Sequence, residues 1–323
     1  MPQPLLSFII TIRPHQRVLR RCISAITSQT FTDFEVIVSD LSDHGYQKVM
    51  IKRLCPGSDN VKYVATQPQI SLWEQLRLCV GNTSGKYIIF IDTDSWLDTD
   101  TAETLVSAME ERNIDLAEMQ TRYRESVLKK RGAEMTQELS ELSDTIISGQ
   151  ELRQYIRFIG DGSYLNPQIY NKIYRRELFS EAFAISFPGK AGCQELLNIQ
   201  YMRAARSMLF LSYAGLNYNR TSADCRPDYR SLEDAKHTYS YKLLCNQDRS
   251  CAATELLDRL QRHMRYLIQE QGWTREAAKF FLDRELKDQR YSEAGLSQTA
   301  DEIVSAIPQR SPGQTLRLIL KSS

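Results

Sequence analysis

Short apolar runs alternate with amphipathic segments along the first hundred residues. Residues 5–12 are almost continuously apolar and β-branched, which is typical of a strand buried on both faces of a sheet. Residues 17–28 carry apolar side chains at helical spacing. The alternation continues with strands predicted at residues 34–38, 61–64 and 87–91, and with helices predicted after residue 43 and at residues 71–80. This order predicts an α/β fold with a mostly parallel central sheet flanked by helices.

The later part of the chain has a different pattern. Residues 101–130 are charged and have helical periodicity, and residues 129–144 contain few large apolar side chains, which indicates an exposed excursion. Residues 148–151 fit a capping box at the start of a further helix. Residues 231–286 carry Leu, Ala, Lys, Arg and Glu at helical spacing. They predict a C-terminal helical extension.

Length and charge limit the classes of protein that fit. A chain of 323 residues is long enough for two or three structural units. Its 41 lysines and arginines nearly balance its 40 aspartates and glutamates, so we expect no nucleic-acid partner. The seven cysteines include no Cys-x-x-Cys pair, and we expect buried, reduced thiols rather than disulfides or a zinc site.

The sequence has no stretch of the roughly 20 apolar residues that a bilayer span requires. The start Met1-Pro2-Gln3-Pro4 lacks the basic and apolar regions of a secretory signal, so we expect a cytoplasmic protein. Residues 315–321 are apolar with two cations, which suggests peripheral contact with the inner face of a membrane. Packing of this segment onto the main body is the alternative that we favour.

Three aspartates follow predicted strands of the parallel sheet. Asp92 and Asp94 come directly after residues 87–91, and Asp40 follows residues 34–38. Ligands of open α/β sheets bind beyond the carboxyl ends of the strands, so these are the leading candidate site residues. If the strand geometry persists, Asp92 and Asp94 project to one side, and their oxygens suit Mg²⁺ or Mn²⁺ together with a diphosphate. The alternative is a turn in which the aspartates bond local backbone.

Several stretches match the motifs of one large family. Residues 29–37 fit its helix end and second strand, and residues 84–97 resemble its Thr-Gly-Glu-Tyr-Ile-Ile-Phe-Leu-Asp-Ser-Asp-Asp-Trp-Leu. Residues 38–42 correspond to its Val-Asp-Asp-Gly-Ser, residues 71–77 to its Gly-Ile-Tyr-Asp-Ala-Met-Asn, and residues 171–179 to a motif of its second half. Through these stretches the chain resembles the family 2 inverting glycosyltransferases of the GT-A fold, which use nucleotide sugars.

The resemblance implies roles for the candidate donor-binding residues. It places Asp40 beside a uracil ring, Asp92 near the ribose or the sugar, and Asp94 on a divalent metal, Mn²⁺ or Mg²⁺. Thr11 and Arg13 stand in the opening donor-site motif, where the family has Pro-Val-Tyr-Asn.

Two further residue types are candidates for contact with the donor. The guanidinium groups of Arg13 and Arg77 match phosphate oxygens, although an ordinary surface arginine is the alternative for each. Trp73 and Trp96 are candidates for stacking on a sugar. Core packing is the alternative, and we favour it for Trp96.

At the positions of the catalytic base this sequence differs from the family's motif. Inverting transfer needs a base that takes the proton of the acceptor hydroxyl, and the family supplies it from Glu-Asp. Those two positions hold Cys193 and Gln194 here, and Glu195 is the nearest carboxylate. We predict Glu195 as the base, with capping or solvation of its helix as the alternative.

Together these observations predict a glycosyltransferase that moves a sugar from a nucleotide-diphosphate donor, with UDP-sugar favoured, to a glycan or lipid-linked acceptor with inversion. The expected domains are a donor-binding half at residues 1–100, an acceptor-side half at 101–222 and the extension at 223–323. A catalytically impaired nucleotide-sugar-binding or scaffold protein on the same fold is the main alternative. A nucleotidyltransferase is a third, but residues 11–21 lack the glycine that its phosphate loop requires. The sequence does not indicate an oligomeric state.

Overall fold

The chain divides into two compact units. The structure, a computed structural model, describes residues 3–12, 20–41, 49, 60–64, 70–125, 134–136, 142–157, 168–185, 187, 193–220, 229–244, 249–269 and 271–308. The first unit comprises Met1–Ile156, Pro167–Pro188 and Cys193–Thr221, and the second comprises Arg157–Asn166, Gly189–Gly192 and Ser222–Ser323. The helix predicted just after residue 43, much of the excursion at 129–144 and the segment 315–321 lie outside the described residues.

One mixed sheet forms the centre of the first unit. Its described strands are β1 (Leu6–Ile12), β2 (Phe34–Asp40), β3 (Val61–Val64), β4 (Tyr87–Ile91), β5 (Ser95–Leu97), β6 (Leu116–Glu125), β7 (Glu134–Thr136), β8 (Ile146–Ser148), β9 (Lys172–Arg175) and β10 (Ser207–Arg220). Their order is β3-β2-β1-β4-β9-β6-β10-β5, with β7 beside β6 and β8 beside β10. The predicted α/β class is therefore confirmed.

The strands β3, β2, β1 and β4 run parallel to one another. Ile10 of β1 lies opposite Val38 of β2 on one side and Ile91 of β4 on the other. Every residue of β1 and β4 is buried, as expected for strands covered on both faces. Because parallel strands end at one edge, this register brings the carboxyl ends of β2, β1 and β4 together.

Helices of the first unit connect these strands. They are α1 (Arg20–Thr27), α2 (Leu72–Gly81), α3 (Thr101–Arg112), α4 (Gly149–Arg157), α5 (Phe179–Ala182) and α6 (Cys193–Ala204), with a 3₁₀ turn at Arg176–Leu178. The apolar side of α1 is buried, as its spacing predicts. Ser71 caps α2 by accepting a hydrogen bond from the backbone N–H of Glu74 at 3.2 Å, which fixes where that helix begins.

The prediction of a helix over residues 101–130 is wrong beyond Arg112. Asn113 adopts a left-handed conformation, with φ of 49°, and ends α3. The chain then forms β6, which lies between β9 and β10. Hydrogen bonding to both neighbours stabilises a charged segment as a strand, although its local composition favours a helix. The predicted excursion also contains a strand, β7, which pairs with β6.

Glu35 ties the amino-terminal end of its own strand, β2, to those of β1, β3 and β4. Its carboxylate accepts hydrogen bonds from Ser7 Oγ at 2.7 Å, from Lys62 Nζ at 2.6 Å, and from the backbone N–H groups of Ser84 and Gly85 at 2.5 and 3.2 Å. Burial opposes ionisation, but these donors outweigh it and lower the pKa of Glu35 from 4.5 to about 2. Glu35 thus stabilises the edge of the sheet that lies opposite the strand carboxyl ends.

The second unit is helical over its described residues, as predicted. Its helices are α7 (Tyr229–Leu244), α8 (Arg249–Gln269), α9 (Arg275–Glu285), α10 (Gln289–Glu293) and α11 (Ala300–Ala306). Lys236, which is 3% exposed, forms ion pairs with Glu233 at 2.6 Å and Glu285 at 2.7 Å inside this helical core. Among the described helices of the chain, none combines the length and the apolar character that a bilayer crossing requires.

Candidate active site

Asp92 and Asp94 lie in a tight turn at the carboxyl end of β4. The backbone N–H of Ser95 donates to the carbonyl of Asp92 at 3.1 Å, and its hydroxyl donates to the same oxygen at 2.9 Å. Asp92 is buried and Asp94 is half-buried. The condition that strand geometry continues through both residues is not met, because β4 ends at Ile91 and the chain turns. The two carboxylates therefore differ in exposure.

Cys22 of α1 lies behind this turn. Its thiol donates to the carbonyl oxygen of Asp92 at 3.7 Å, and the side chain is fully buried. Burial raises the pKa of the Cys22 thiol well above its ordinary value, and the charges of Asp92 and Asp94 raise it further. Both carboxylates are therefore close to the amino-terminal part of α1.

Thr11 and Asp40 lie at the same edge of the sheet, at the ends of β1 and β2. Thr11 pairs with Ser39, and the next residue of β1 pairs with Asp40. Thr11 is 4% exposed and Asp40 is half-buried. The register of β1 with β4 ends at Ile91, so these residues and Asp92 share one edge. The structure thus brings Thr11, Asp40, Asp92 and Asp94 to the edge where a ligand of this sheet type binds.

Gln75 of α2 holds the ends of β1 and β2 together, and sequence reasoning missed it. It is fully buried, and its amide nitrogen donates to the backbone carbonyl and the hydroxyl of Ser39 at 3.2 and 2.9 Å, and is 3.5 Å from the carbonyl oxygen of Ile12. The available signal was a polar residue on the apolar side of a predicted helix. Gln75 fixes the backbone that carries Asp40.

Gln29 fixes the segment that follows the carboxylate turn. Its amide nitrogen donates to the carbonyl of Asp98 at 2.7 Å, and its amide oxygen accepts from the N–H of Ala102 at 2.8 Å. Asp98 in turn bonds Arg122 at 2.5 Å and Asn217 at 2.8 Å. These contacts join the end of α1 to the start of α3. They therefore fix the chain just after the turn that carries Asp92 and Asp94.

The predicted phosphate-binding arginines have different positions. Arg13 lies outside the described residues. Arg77 is on the exposed side of α2, where its guanidinium bonds Glu74 at 2.7 and 2.9 Å. Among the described contacts, none brings Arg77 to Asp92 or Asp94, and its role in donor binding stays a prediction.

Trp73 lies in the core, whereas Trp96, for which core packing was favoured, is only partly buried. Trp73 is fully buried and packs edge-on against Phe183 and Phe187, with ring centroids 5.2 and 6.1 Å apart. Trp96 of β5 is only half-buried, and the guanidinium carbon of Arg21 lies 3.3 Å from the centroid of its ring. The core assignment therefore applies to Trp73, and Trp96 is the accessible ring beside the carboxylate turn.

Glu195 lies in the first turn of α6 and is 3% exposed. Its neighbour Gln194 donates to the hydroxyl of Tyr170 at 3.0 Å. One turn further along the helix, Asn198 accepts from the hydroxyl of Tyr174 at 2.6 Å and donates to the carbonyl of Gln168 at 3.3 Å. The turn at residues 168–171 thus fixes α6 on both sides of Glu195.

A buried ion pair that sequence reasoning missed supports this same turn. Lys172 and Glu118 are fully buried, with Nζ and Oε2 3.3 Å apart. Lys172 also donates to the carbonyl of Gln168 and to Asn171 Oδ1, each at 2.8 Å. Burial lowers the pKa of Lys172, and the charge of Glu118 opposes that shift. The only sequence signal was a lysine in register with apolar residues of a short strand.

The carboxylates of Asp92 and Asp94 suit a metal ion that also binds a substrate. Among the residues that the structure describes, no group of three or more His, Cys, Asp or Glu side chains could hold a metal ion. Asp92 and Asp94 supply two carboxylates, and Mg²⁺ and similar ions take their remaining ligands from water and substrate phosphates. The chemistry of the turn therefore suits a metal shared with a diphosphate.

The sheet order, the parallel half and the carboxylate turn define a GT-A fold. The chain is similar to S. aureus TarS 1–349 in complex with UDP-GlcNAc, with a TM-score of 0.57 at 16% identity, over 94% of this chain and 81% of that chain. It is also similar to the mannosyltransferase PcManGT from Pyrobaculum calidifontis in complex with GDP-Man and Mn²⁺, with a TM-score of 0.52 at 9% identity, over 99% of this chain and 88% of that chain.

The sequence model of Glycosyl transferase family 2 matches residues 7–183, more than half of the chain, and the chain therefore belongs to this family. A curated relative is the putative glycosyltransferase EpsH of Bacillus subtilis (strain 168), which is 21% identical over 189 residues, or 58% of this chain and 52% of EpsH. The chain spans about half or less of the length of the curated relatives it matches. The family resemblance inferred from the motifs is confirmed.

Proposed function

We propose that this chain is a metal-dependent glycosyltransferase that moves a sugar from a nucleotide-diphosphate donor, with a UDP-sugar favoured, to a hydroxyl of a glycan or lipid-linked acceptor, with inversion at the anomeric carbon. The observation that carries the proposal is the turn with Asp92 and Asp94 at the carboxyl edge of the parallel strands. The complexes of S. aureus TarS with UDP-GlcNAc and of PcManGT with GDP-Man and Mn²⁺ support a nucleotide-sugar donor for the shared fold.

The donor is held by residues of the shared edge. Asp94 is the proposed ligand of Mn²⁺ or Mg²⁺, and the buried Asp92 contacts the ribose or the sugar. Asp40 and Thr11 place the nucleoside beyond β1 and β2, and Arg13 and Arg77 are proposed to reach the phosphates. When bound, the metal neutralises negative charge on the departing nucleoside diphosphate.

Glu195 is the proposed base. It takes the proton of the acceptor hydroxyl while the oxygen of that hydroxyl attacks the anomeric carbon and the bond to the diphosphate breaks. The contacts of Gln194 and Asn198 support this role, because they restrain the helix on either side of Glu195. Such restraint is what a positioned base requires, since small displacements cost much of the rate.

A nucleotide-sugar-binding protein without transfer activity is the second candidate. The observation that favours it is Gln194, which stands where the family has a carboxylate. The amide nitrogen of Gln194 donates a hydrogen bond to the hydroxyl of Tyr170. In this alternative the nucleotide sugar still binds at the carboxyl edge of the parallel strands. No base, however, accepts the proton of the acceptor hydroxyl.

Transfer assays with Mn²⁺ and a panel of nucleotide sugars test the proposal. We expect Asp94→Asn to lower transfer on the order of 100-fold, because it removes a charged metal ligand. Asp283→Asn, at an exposed position of α9, is the matched control and should be as active as the wild type. Transfer that persists in Asp94→Asn and in chelator would refute the metal assignment.

The base is tested separately from the donor site. Glu195→Gln should abolish transfer while nucleotide binding is retained. Unchanged turnover in this variant would remove Glu195 from the base role. Donor binding without any transfer by the wild type, with every acceptor class tried, would instead favour the binding protein.

A further inference from the structure

One face of helix α9 carries an exposed aromatic side chain beside an apolar cleft. Phe280 is 68% exposed, more than any other large apolar side chain among the described residues. The cleft has a volume of about 530 Å³, and Trp273, Ala277 and Phe281 also line it. An aromatic ring next to an open apolar cleft is typical of an interaction surface. We propose that α9 binds α9 of a second copy of this chain, antiparallel to it, with a twofold axis at Phe280.

Phe280 lies on the side of α9 that faces away from the core of the second unit. Ala278 and Leu282, on the opposite side of the helix, are fully buried. Ala277, nearly one turn before Phe280, contributes only a methyl group to the cleft. The ring of a second Phe280 can therefore enter beside Ala277 and contact the ring of Trp273.

Two opposite charges lie symmetrically about the exposed phenylalanine. Glu276 is four residues before it and Arg284 is four residues after it, and both are exposed. They are about 12 Å apart along the helix, which is too far for them to pair with each other. Lys279, on the flank of the same face, interacts with Asp283 and pairs with Asp301 at 2.6 Å. Among the contacts of the described residues, no ion pair involves Glu276 or Arg284.

A twofold axis at Phe280 makes these charges complementary. Such an axis makes the two helices antiparallel, so a residue before Phe280 in one copy lies opposite the residue equally far after it in the other. Glu276 of each copy then lies beside Arg284 of the other copy, with the exposed Lys287 close by, and this contact occurs twice. Parallel pairing would instead place like charges opposite each other. The charges thus favour the antiparallel arrangement.

Apolar burial supplies most of the association free energy in this dimer, and the charges set its register. Exposed ion pairs contribute little on their own, whereas a central aromatic ring in an apolar cleft is the kind of group on which association depends. One helix face buries less area than a standard interface, so we expect a dissociation constant on the order of 10 µM. The dimer should therefore form reversibly as the protein concentration rises.

Sedimentation velocity over about 1–200 µM protein tests the proposal, because this range spans the expected dissociation constant. The wild type should change from monomer to dimer. Phe280→Ser should weaken dimerisation about 10-fold or more, because it removes the central ring. Glu111→Arg, at an exposed position of α3 in the first unit, is the matched control for charge reversal and should dimerise like the wild type. Unfolding midpoints at the lowest concentration check that each variant folds.

Exchange of charges tests the register. Glu276→Arg and Arg284→Glu should each weaken dimerisation about 10-fold, since each places like charges opposite each other at two points. A mixture of these two variants should recover most of the affinity, because each chain then supplies the charge that the other lacks. The two changes combined in one chain should recover it as well.

The outcomes decide the proposal without reference to the donor site. A wild type that stays monomeric at the highest concentration overturns it, and so does a dimer that neither Phe280→Ser nor Glu276→Arg weakens. Charge reversals without recovery in the mixture would refute the register and the proposal with it. Monomers that bind vesicles of anionic lipid through Phe280 would assign this face to a membrane, which also overturns it. None of these results depends on nucleotide binding or transfer, so the proposed function is tested independently.

Discussion

Replacing Glu35 with glutamine should remove a pH-dependent part of the stability of the first unit. The folded-state pKa of Glu35 is about 2, against an ordinary value of 4.5. Because folding depresses the pKa, the stabilisation is complete above the unfolded value and is lost as the pH falls toward 2. The change removes a carboxylate that is 3% exposed and bonded by Lys62, Ser84 and Ser7.

The pKa shift of Glu35 determines how much its carboxylate contributes to the free energy of unfolding. A change from 4.5 to about 2 corresponds to about 3 kcal/mol of stability at pH 7. At pH 3 the folded carboxyl is still mostly ionised and the unfolded one is protonated, and the same linkage relation leaves about 1 kcal/mol. The difference in stability between the wild type and Glu35→Gln should therefore shrink by about 2 kcal/mol between pH 7 and pH 3.

Urea unfolding followed by tryptophan fluorescence measures this difference. The chain has three tryptophans, and a Trp273→Phe background leaves Trp73 and Trp96, both in the first unit, as the reporters. Comparing two variants at each pH cancels the titration of other carboxyl groups. Glu111→Gln, at an exposed position near the end of α3, is the matched control and should not change the pH dependence.

A stability difference between wild type and Glu35→Gln that stays constant from pH 7 to pH 3 would refute the reasoning. It would mean that the carboxyl group of Glu35 has the same pKa in the folded and the unfolded chain. A difference that grows toward low pH would contradict the sign of the shift.

Two further predictions concern packing and pairing inside the first unit. In Gly85→Ala the new Cβ would lie 2.6 Å from Ser7 Oγ and 2.8 Å from the backbone of Leu6, so urea unfolding should show a loss of about 1–3 kcal/mol, whereas an unchanged midpoint would show that the strand can move. Lys172→Met leaves Glu118 as a buried charge and should cost about 3–5 kcal/mol. Combining it with Glu118→Leu should recover much of that loss in the same measurement, and an additive loss would contradict the pairing.

Local pattern was sufficient to predict the parallel half of the sheet. Strands β1 and β4 are apolar runs that are fully buried, β2 is mostly so, and β3 lies where its short apolar pattern placed it. The helices α1 and α2 between them each have one apolar side. The resemblance carried by residues 84–97 also identified the family correctly. Both signals are short-range, because each lies within one element or one motif.

The errors arose where distant partners decide the structure. Residues 116–125 have the charged composition of a helix, but pairing with β9 and β10 makes them a strand. Trp73 follows Leu72 and Trp96 follows Ser95. Only the fold shows that the aromatic rings of residues 183 and 187 pack against the first of these tryptophans. The roles of Gln75 and Lys172 depend on backbone groups supplied by other elements. The functions of the candidate site residues stay predictions.

The position of Cys22 gives the protein an internal reporter of motion. An alkylating reagent reacts with a thiolate, and burial against the carboxylate turn both shields this sulfur and keeps it protonated. Modification at Cys22 therefore requires α1 to separate from the turn first. The rate of labelling of Cys22, measured by mass spectrometry, therefore reports how often α1 and the turn separate. A ligand that contacts both α1 and the turn should lower this rate.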